Sequence, residues 1–400
     1  MEFDATLCCG CGACANICPT GAITWTADDK GFAVPSIDQE KCVNCGLCRK
    51  VCPYEQNHVG VDADPQVYAA LHRDPEVLRA SSSGGVFTAL SDWMLDQGGA
   101  VYGVAFDEQY RPVCRRAETK EERNALRGSK YVQCDGCAVY PRVEADLRAG
   151  RRVMFTGTPC QISGLKAALE QKKVPMEGLY TVDNICHGAA SPAVWQSYLD
   201  YIRTQVLENG NIQSFSMRSK DAPWQSQKLK CVTAVGDESR ALNRGASWNK
   251  LYQTTCAVRE SCFHCRFPSY DRVGDITLAD YWNVENAGVK LDWSRGINLV
   301  LVNSPKGEDW FNACREDLLW QESDKKSCWQ LHLEGPAVPA RGRSAFWAEY
   351  ARDPSACVER YAHGSRVMDL ARSVTPLLRK AGLYTLATRL LRRVKDHGRQ

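Results

Sequence analysis

The chain has 400 residues, room for a small module and one large domain, with 44% hydrophobic and 24% charged side chains, a balance that excludes general disorder and a fibrous class. Its net charge of +3 makes no case for a nucleic-acid partner, and no run of about 18 apolar residues is present to span a membrane. Cysteine is the anomaly, with 21 residues in all and nine in the first 52. The start, Met1-Glu2-Phe3-Asp4-Ala5, lacks the charged-then-apolar pattern of a secretory leader, and an odd cysteine count fits poorly with complete disulfide pairing. A reducing, cytoplasmic setting is therefore expected.

Residues 1–58 read as the first domain. Cys8, Cys11, Cys14 and Cys18-Pro19 are repeated at identical spacing by Cys42, Cys45, Cys48 and Cys52-Pro53. Thiolates two residues apart on a tight loop can each reach a different iron of one 4Fe-4S cubane, while the fourth, ahead of proline, points to the other cluster. Crossed ligation is the expectation: Cys8, Cys11, Cys14 and Cys52 on one cluster, and Cys42, Cys45, Cys48 and Cys18 on the second. Gly10, Gly12 and Gly46 suit a backbone that passes close to sulfides at positive φ, and Cys9 is left over. A zinc pair would use two close pairs of thiolates rather than this run. Between the runs, the alternation around Asp28-Asp29-Lys30 predicts a small hairpin. The whole segment resembles a bacterial-type two-cluster ferredoxin.

A polar linker is expected over Asn57 to Pro65. Beyond it, apolar runs alternate with helical patterns. Gln66–Leu71 and Ala100–Phe106 read as strands and Gly85–Gln97 as a helix; Arg151–Thr156, Gln161–Gln171 and Leu179–Asn184 read as a β-α-β unit with parallel pairing. The large domain, 64–335, is thus expected to be α/β. Cys160 and Cys186 each follow a predicted strand, where α/β sheets bind their ligands. With Cys262 and Cys265 from a later loop they could hold a third 4Fe-4S cluster, Cys256 standing in reserve, although isolated cysteines are commonly small buried hydrophobes. Ser81-Ser82-Ser83-Gly84-Gly85 opens a helix whose unpaired N–H groups suit a pyrophosphate, but serine is also simply a good cap. Lys130 and Tyr131 offer a cation and a ring to a phosphate and a planar group, or form an ordinary turn. Trp224, Trp248, Trp282 and Trp293 could line a substrate pocket or belong to the core.

The segments SSSGGVF from Ser81, GSKYVQ from Gly128, GTPCQ from Gly157, ICHG from Ile185, CFHC from Cys262 and DITLADYW from Asp275 resemble, in kind and in order, the coenzyme F420 hydrogenase/dehydrogenase beta-subunit family. The resemblance covers about residues 64–305. It implies FAD, a cluster and reductase chemistry. It assigns cluster ligation to Cys160, Cys186, Cys262 and Cys265, and it places Ser82, Ser83, Gly84, Gly85, Lys130, Tyr131 and Thr158 around the flavin. Cys134 and Cys137 depart from the family pattern and are read as buried thiols or a labile dithiol. His187 is read as structural, with donation to a sulfide or proton transfer as the other role.

Residues 336–400 form the third expected unit, helical and basic. From Arg366 to Gln400 there are nine Lys or Arg against two Asp, so the tail carries the positive charge. Such a segment is suited to packing one stripe on the large domain, to lying on an anionic membrane surface, or to docking an acidic ferredoxin. Taken together, the expectation is a small two-cluster ferredoxin domain fused to a larger α/β flavin-binding domain with a basic helical tail. The resemblance implies an oxidoreductase passing electrons between a ferredoxin or other carrier and a small molecule, coenzyme F420-like or otherwise organic, with some similar proteins linked to glycan biosynthesis. The competing expectation is a non-catalytic relay subunit of a hydrogenase or formate-dehydrogenase-like complex.

Overall fold

The computed structural model describes residues 4, 6–55, 60, 64–134, 137–207, 210–364 and, beyond these, 374–375, 377–379, 381–383 and 386–388. Most of the expected linker and most of the basic tail, including its reading as a membrane or partner contact, lie outside the described residues. Among the described residues, no helix is long and apolar enough to cross a membrane.

The N-terminal unit holds an antiparallel hairpin, β1 (Ile23–Ala27) against β2 (Ala33–Ile37). Its turn is pinned by Asp28, whose carboxylate accepts from the N–H groups of Lys30 and Phe32 at 3.0 and 2.8 Å.

The large domain is built on a mixed sheet. In chain order its strands are β3 (Gln66–His72), β4 (Ala100–Phe106), β5 (Pro112–Ala117), β6 (Val153–Thr156) and β7 (Leu179–Asn184); a separate small sheet follows, β8 (Ile212–Ser216), β9 (Lys230–Thr233) and β10 (Gly236–Asp237); then come β11 (Ile276–Asp280), β12 (Asn298–Val302) and β13 (Leu318–Ser323). The large sheet runs β13-β3-β12-β11-β7-β6-β4-β5. β4, β6, β7 and β11 are parallel, as the β-α-β reading expects, and the flanking β5, β12, β3 and β13 pair antiparallel. Every residue of β12 is buried, the mark of a strand covered on both faces. The helix Val86–Asp96 presses Val86, Ala89, Leu90 and Met94 into the core, one stripe at helical spacing.

The tail unit proves less separate than the sequence suggests. Helices Arg343–Arg352 and Pro354–His363 bury Phe346, Cys357, Val358 and Ala362 in the same core as Trp195, Tyr198 and Leu199 of the helix Pro192–Gln205. These helices complete the large domain; the basic composition begins after them.

The ferredoxin unit is seated against the sheet domain by close contacts. Gly164, in the helix Pro159–Gln171, faces Cys11 so closely that a Cβ there would sit 2.7 Å from the Cys11 sulfur. A Cβ on Gly31 would likewise fall 2.2 Å from that of Ala193. Ser191 donates to the Lys30 carbonyl at 2.5 Å, and Gln133 Nε2 to the Cys9 carbonyl at 3.1 Å. Gly164→Ala should therefore separate the two units although it favours the helix itself. The expected loss is about 1–3 kcal/mol from overpacking, read as an earlier denaturant midpoint and faster proteolytic release of residues 1–55; an unchanged midpoint would mean that the seat is loose.

Candidate functional site

The two cysteine runs fold back on each other. Gly12 and Gly46 hold φ of 87° and 74°, in the left-handed region that favours glycine, and each opens a short helix carrying the third cysteine of its run, Cys14 in Ala13–Ile17 and Cys48 in Leu47–Lys50. Cys8, Cys11 and Cys14 share one cavity with Cys52. Cys42, Cys45 and Cys48 line a second with Cys18. Backbone N–H groups point at sulfur in both: Gly10 to Cys8 at 3.4 Å and Ala22 to Cys18 at 3.3 Å. Among the described residues, no three His, Cys, Asp or Glu side chains converge as a single-ion site; the thiols are instead spread around their cavities.

A larger cavity of about 480 Å³ opens at the carboxyl ends of β6, β7 and β11, a volume ordinary for small-ligand sites. Cys160 enters from the first turn of Pro159–Gln171, Cys186 from the loop after β7, and Cys262 and Cys265 from the short helix Glu260–His264 and its end. All four thiols line it. Burial pushes Cys262 up to about 12 and Cys265 up to about 11, and neighbouring thiols add to the rise. The Cys9 thiol beside Cys160, and desolvation at Cys186, likewise hold these two thiols well above the usual thiol range. Thiols so placed would release protons on taking up metal. The Thr158 hydroxyl lies 3.2 Å from the Cys160 sulfur, and the N–H groups of Gly188 and Ala189 reach Cys186 and Cys262 at 3.4 and 3.5 Å. Ser261, a lining residue, adds a buried hydroxyl without a hydrogen-bond partner among the described residues.

Ser82, Ser83, Gly85, Lys130, Tyr131 and Thr158 line the same cavity. Gly84 does not: a Cβ there would fall 2.4 Å from the Ala70 carbonyl and 2.5 Å from the Asn298 nitrogen, so its missing side chain serves close packing on the sheet. The two loops are joined where the Ser129 N–H donates to Ser82 Oγ at 3.2 Å. At the start of the helix Val86–Asp96, Gly85 has no side chain to cap with, and Asn298 Oδ1 accepts from the Val86 N–H at 3.2 Å in its place. Lys130 Nζ donates to the Ala125 and Arg127 carbonyls at 3.1 and 2.8 Å, and burial lowers it to about 7. Tyr131 stacks on Tyr252 at 5.0 Å, and Arg218 donates to both the Tyr131 hydroxyl and the Asp280 carboxylate at 3.1 and 2.8 Å. His187, pushed down to about 4 by burial, packs its ring tilted against that of His332, centroids 4.2 Å apart, within the cavity wall.

Several residues fall elsewhere than the sequence suggests. Cys256 lies in the helical core with Phe346 and Cys357, away from the cavity. Of the four tryptophans, Trp282 lines the cavity and stacks on the buried Trp224 at 5.4 Å, whereas Trp248 is core and Trp293 packs in a hydrophobic cluster. Cys134 is buried and accepts from Gln161 Nε2 at 3.3 Å; the side chain of Cys137 lies outside the described residues. Cys9, left over by the spacing, lines both the large cavity with Cys160 and the cavity of Cys8, Cys11, Cys14 and Cys52. Tyr54, Arg259, Arg218 and Arg272 were not singled out by sequence reasoning, because no spacing marks a residue whose partners lie on other elements.

Residues 67–140 and 150–327, together more than half the chain, match the family models for the N-terminal and C-terminal parts of the Coenzyme F420 hydrogenase/dehydrogenase beta subunit, respectively. Residues 7–56 match a 4Fe-4S dicluster domain. The Coenzyme F420 hydrogenase subunit beta of Methanosarcina barkeri (strain Fusaro / DSM 804) is 27% identical over 130 residues, spanning 30% of this chain and 43% of that relative. The match thus covers less than half of the relative's length. A solved structure titled as xenon derivatization of the F420-reducing NiFe hydrogenase complex from Methanosarcina barkeri aligns with a TM-score of 0.46 at 16% identity, over 76% of this chain and 92% of that one.

A fully buried ion pair braces two of the cavity loops. Arg272, fully buried, meets Asp183 at 2.9 Å and donates to the carbonyls of Asn184 and Phe267 at 2.9 and 3.1 Å, lacing the loop that holds Cys186 to the one that follows Cys265. Arg272→Met should cost about 3–5 kcal/mol by leaving Asp183 buried without its partner, and Arg272→Met with Asp183→Leu should recover part of that loss. Denaturant unfolding of both variants checks this; equal losses would show that the pair is not the brace.

Proposed function

Because the chain belongs to the coenzyme F420 hydrogenase/dehydrogenase beta-subunit family and carries a 4Fe-4S dicluster domain, we propose that it is an iron-sulfur flavoprotein oxidoreductase exchanging electrons between a ferredoxin-type carrier and an organic substrate, coenzyme F420-like or otherwise. One observation carries the reading. Four half-buried thiols, Cys160, Cys186, Cys262 and Cys265, share a cavity with Ser82, Lys130 and Tyr131.

In this reading Cys8, Cys11, Cys14 and Cys52 hold one cluster, Cys18, Cys42, Cys45 and Cys48 a second, and the four cavity cysteines a third, with FAD beside it. Bound, the clusters supply one-electron transfer and the flavin supplies exchange between one- and two-electron chemistry. The residues present fit these groups. The Gly188 and Ala189 N–H groups donate to the Cys186 and Cys262 sulfurs, and such bonds tune a cluster's potential. The N–H groups ahead of Val86, with Ser82 and Lys130, suit a pyrophosphate. The apolar walls, Val182, Ile185 and Leu278 among them, exclude water, which protects reduced groups from side reactions. A second reading, a relay subunit of a larger complex, is favoured by the name of the Methanosarcina barkeri relative, a subunit beta.

Anaerobic purification with iron, sulfide and flavin quantified together tests the proposal. The expected content is about twelve irons and one FAD per chain; about eight irons without flavin would overturn it. Purification as a monomer or homodimer that oxidises or reduces a small molecule supports the enzyme, and obligatory retention of a larger metal subunit supports the relay.

The lysine gives a test specific to the flavin site. Ordinarily charged near pH 8, Lys130 at about 7 is mostly neutral there; an adjacent pyrophosphate favours its charged form and raises it. FAD binding at pH 8 should then take up close to one proton, measured by calorimetry in buffers of different ionisation enthalpy. The uptake should fade below pH 7 and vanish in Lys130→Met. Equal uptake in that variant would remove Lys130 from the site.

A further inference from the structure

Two of the three thiol-lined cavities share a wall. Cys9 and Tyr54 line both the cavity of Cys8, Cys11, Cys14 and Cys52 and the large cavity of Cys160, Cys186, Cys262 and Cys265. Neither lines the cavity of Cys18, Cys42, Cys45 and Cys48.

Three short connections cross that wall. Along the first, Cys9 follows Cys8 in the chain and lines the large cavity together with Cys160. Along the second, Tyr54 follows Cys52 and Pro53, and its hydroxyl donates to the Ser261 carbonyl at 3.0 Å, one residue before Cys262. Along the third, the Arg259 guanidinium donates to the Cys8 carbonyl at 2.5 Å, while the Arg259 carbonyl accepts from the Cys262 N–H at 3.1 Å. Arg259 is 3% exposed, and its Nη2 has no hydrogen-bond partner among the described residues. A buried cation therefore stands beside the wall with a donor to spare. At the far cavity Cys45 is exposed and Val43 is 63% exposed.

We infer that the wall of Cys9 and Tyr54 is the bridge between the ferredoxin unit and the large domain, which fixes an order on the ferredoxin sites. The cavity of Cys8, Cys11, Cys14 and Cys52 is the inner one. The cavity of Cys18, Cys42, Cys45 and Cys48 is the outer one, where an external carrier exchanges electrons. Equal spacing in the two runs gives no such order. The step across the wall is outer-sphere: one electron leaves the inner site and one arrives at the large-cavity site, no bond forms or breaks, and no proton or leaving group moves. Cys9, Tyr54 and Arg259 are positioning residues in it. They set the separation of the two sites and the polarity between them, and the unspent Arg259 donor favours the reduced, more negative state of either neighbour.

The inference rests on the three-cluster reading, so the test separates the two. Electron paramagnetic resonance of the fully reduced chain should show magnetic coupling between the large-cavity signal and one ferredoxin signal. In Cys42→Ala with Cys45→Ala, which removes the outer site, that coupling should persist. In Cys11→Ala with Cys14→Ala, which removes the inner site, it should be lost. The opposite pattern overturns the order alone, whereas a wild-type chain holding only about eight irons overturns the reading and the order with it. Should the inner-site variant fail to fold, Tyr54→Ala provides the second measurement: freeze-quench spectra should show slower electron equilibration across the wall at unchanged iron content. An unchanged rate would overturn the bridge.

Discussion

The guanidinium of Arg259 is the contact on which the arrangement of this molecule turns. Electron transfer demands that groups bound by different domains stay within tunnelling range, and that demand can be met only if the small cysteine-rich unit cannot drift from the sheet domain. Arg259 supplies the restraint from the sheet side: it donates to the Cys8 carbonyl at 2.5 Å, to the Ala33 carbonyl at 3.0 Å and to Gln133 Oε1 at 2.8 Å, and it lies over the Phe32 ring at 5.2 Å. Both the first cysteine loop and the hairpin are thereby fixed by one residue. A buried cation with these partners is costly to unseat, since each separation leaves polar groups without water or protein to pair with.

The same packing explains why glycine recurs where the units meet. Gly31 against Ala193 and Gly164 against Cys11 leave no room for a methyl group, so backbones approach at distances that side chains would forbid. Close approach shortens the path between thiols. The energetic cost of gathering thiols around each cavity is met, in the proposed function, by the metal they bind; the N–H donors aimed at sulfur then serve to hold the anionic form.

How much of this could be read in advance depended on whether the signal was local. The duplicated spacing of Cys8 to Cys18 and Cys42 to Cys52 encodes its own pairing, because three thiols on one turn and a fourth before proline have few ways to meet. Strands β4, β6 and β7 and the helix between the latter two were legible from periodicity, with boundaries within a few residues. By contrast β12, with the sequence Asn-Leu-Val-Leu-Val, is a short continuous apolar run that periodicity cannot tell from a piece of helix. The helices Arg343–Arg352 and Pro354–His363 look like part of a basic tail by composition, yet Phe346 and Cys357 are buried against the helix that carries Trp195. Cys9, Tyr54 and Arg259 were illegible for a different reason. Each acts across the contact between the two units, and their partners lie as far as 251 residues away in the chain.

The central claim is that three separate sets of four cysteines hold three clusters, two of them shared between the runs and the third built into the sheet domain. Anomalous diffraction at the iron edge from anaerobically grown crystals addresses it most directly. The account predicts three iron peaks, one among Cys8, Cys11, Cys14 and Cys52, one among Cys18, Cys42, Cys45 and Cys48, and one among Cys160, Cys186, Cys262 and Cys265. A map with iron in the ferredoxin unit alone, or with Cys18 bound to the same cluster as Cys8, would contradict it.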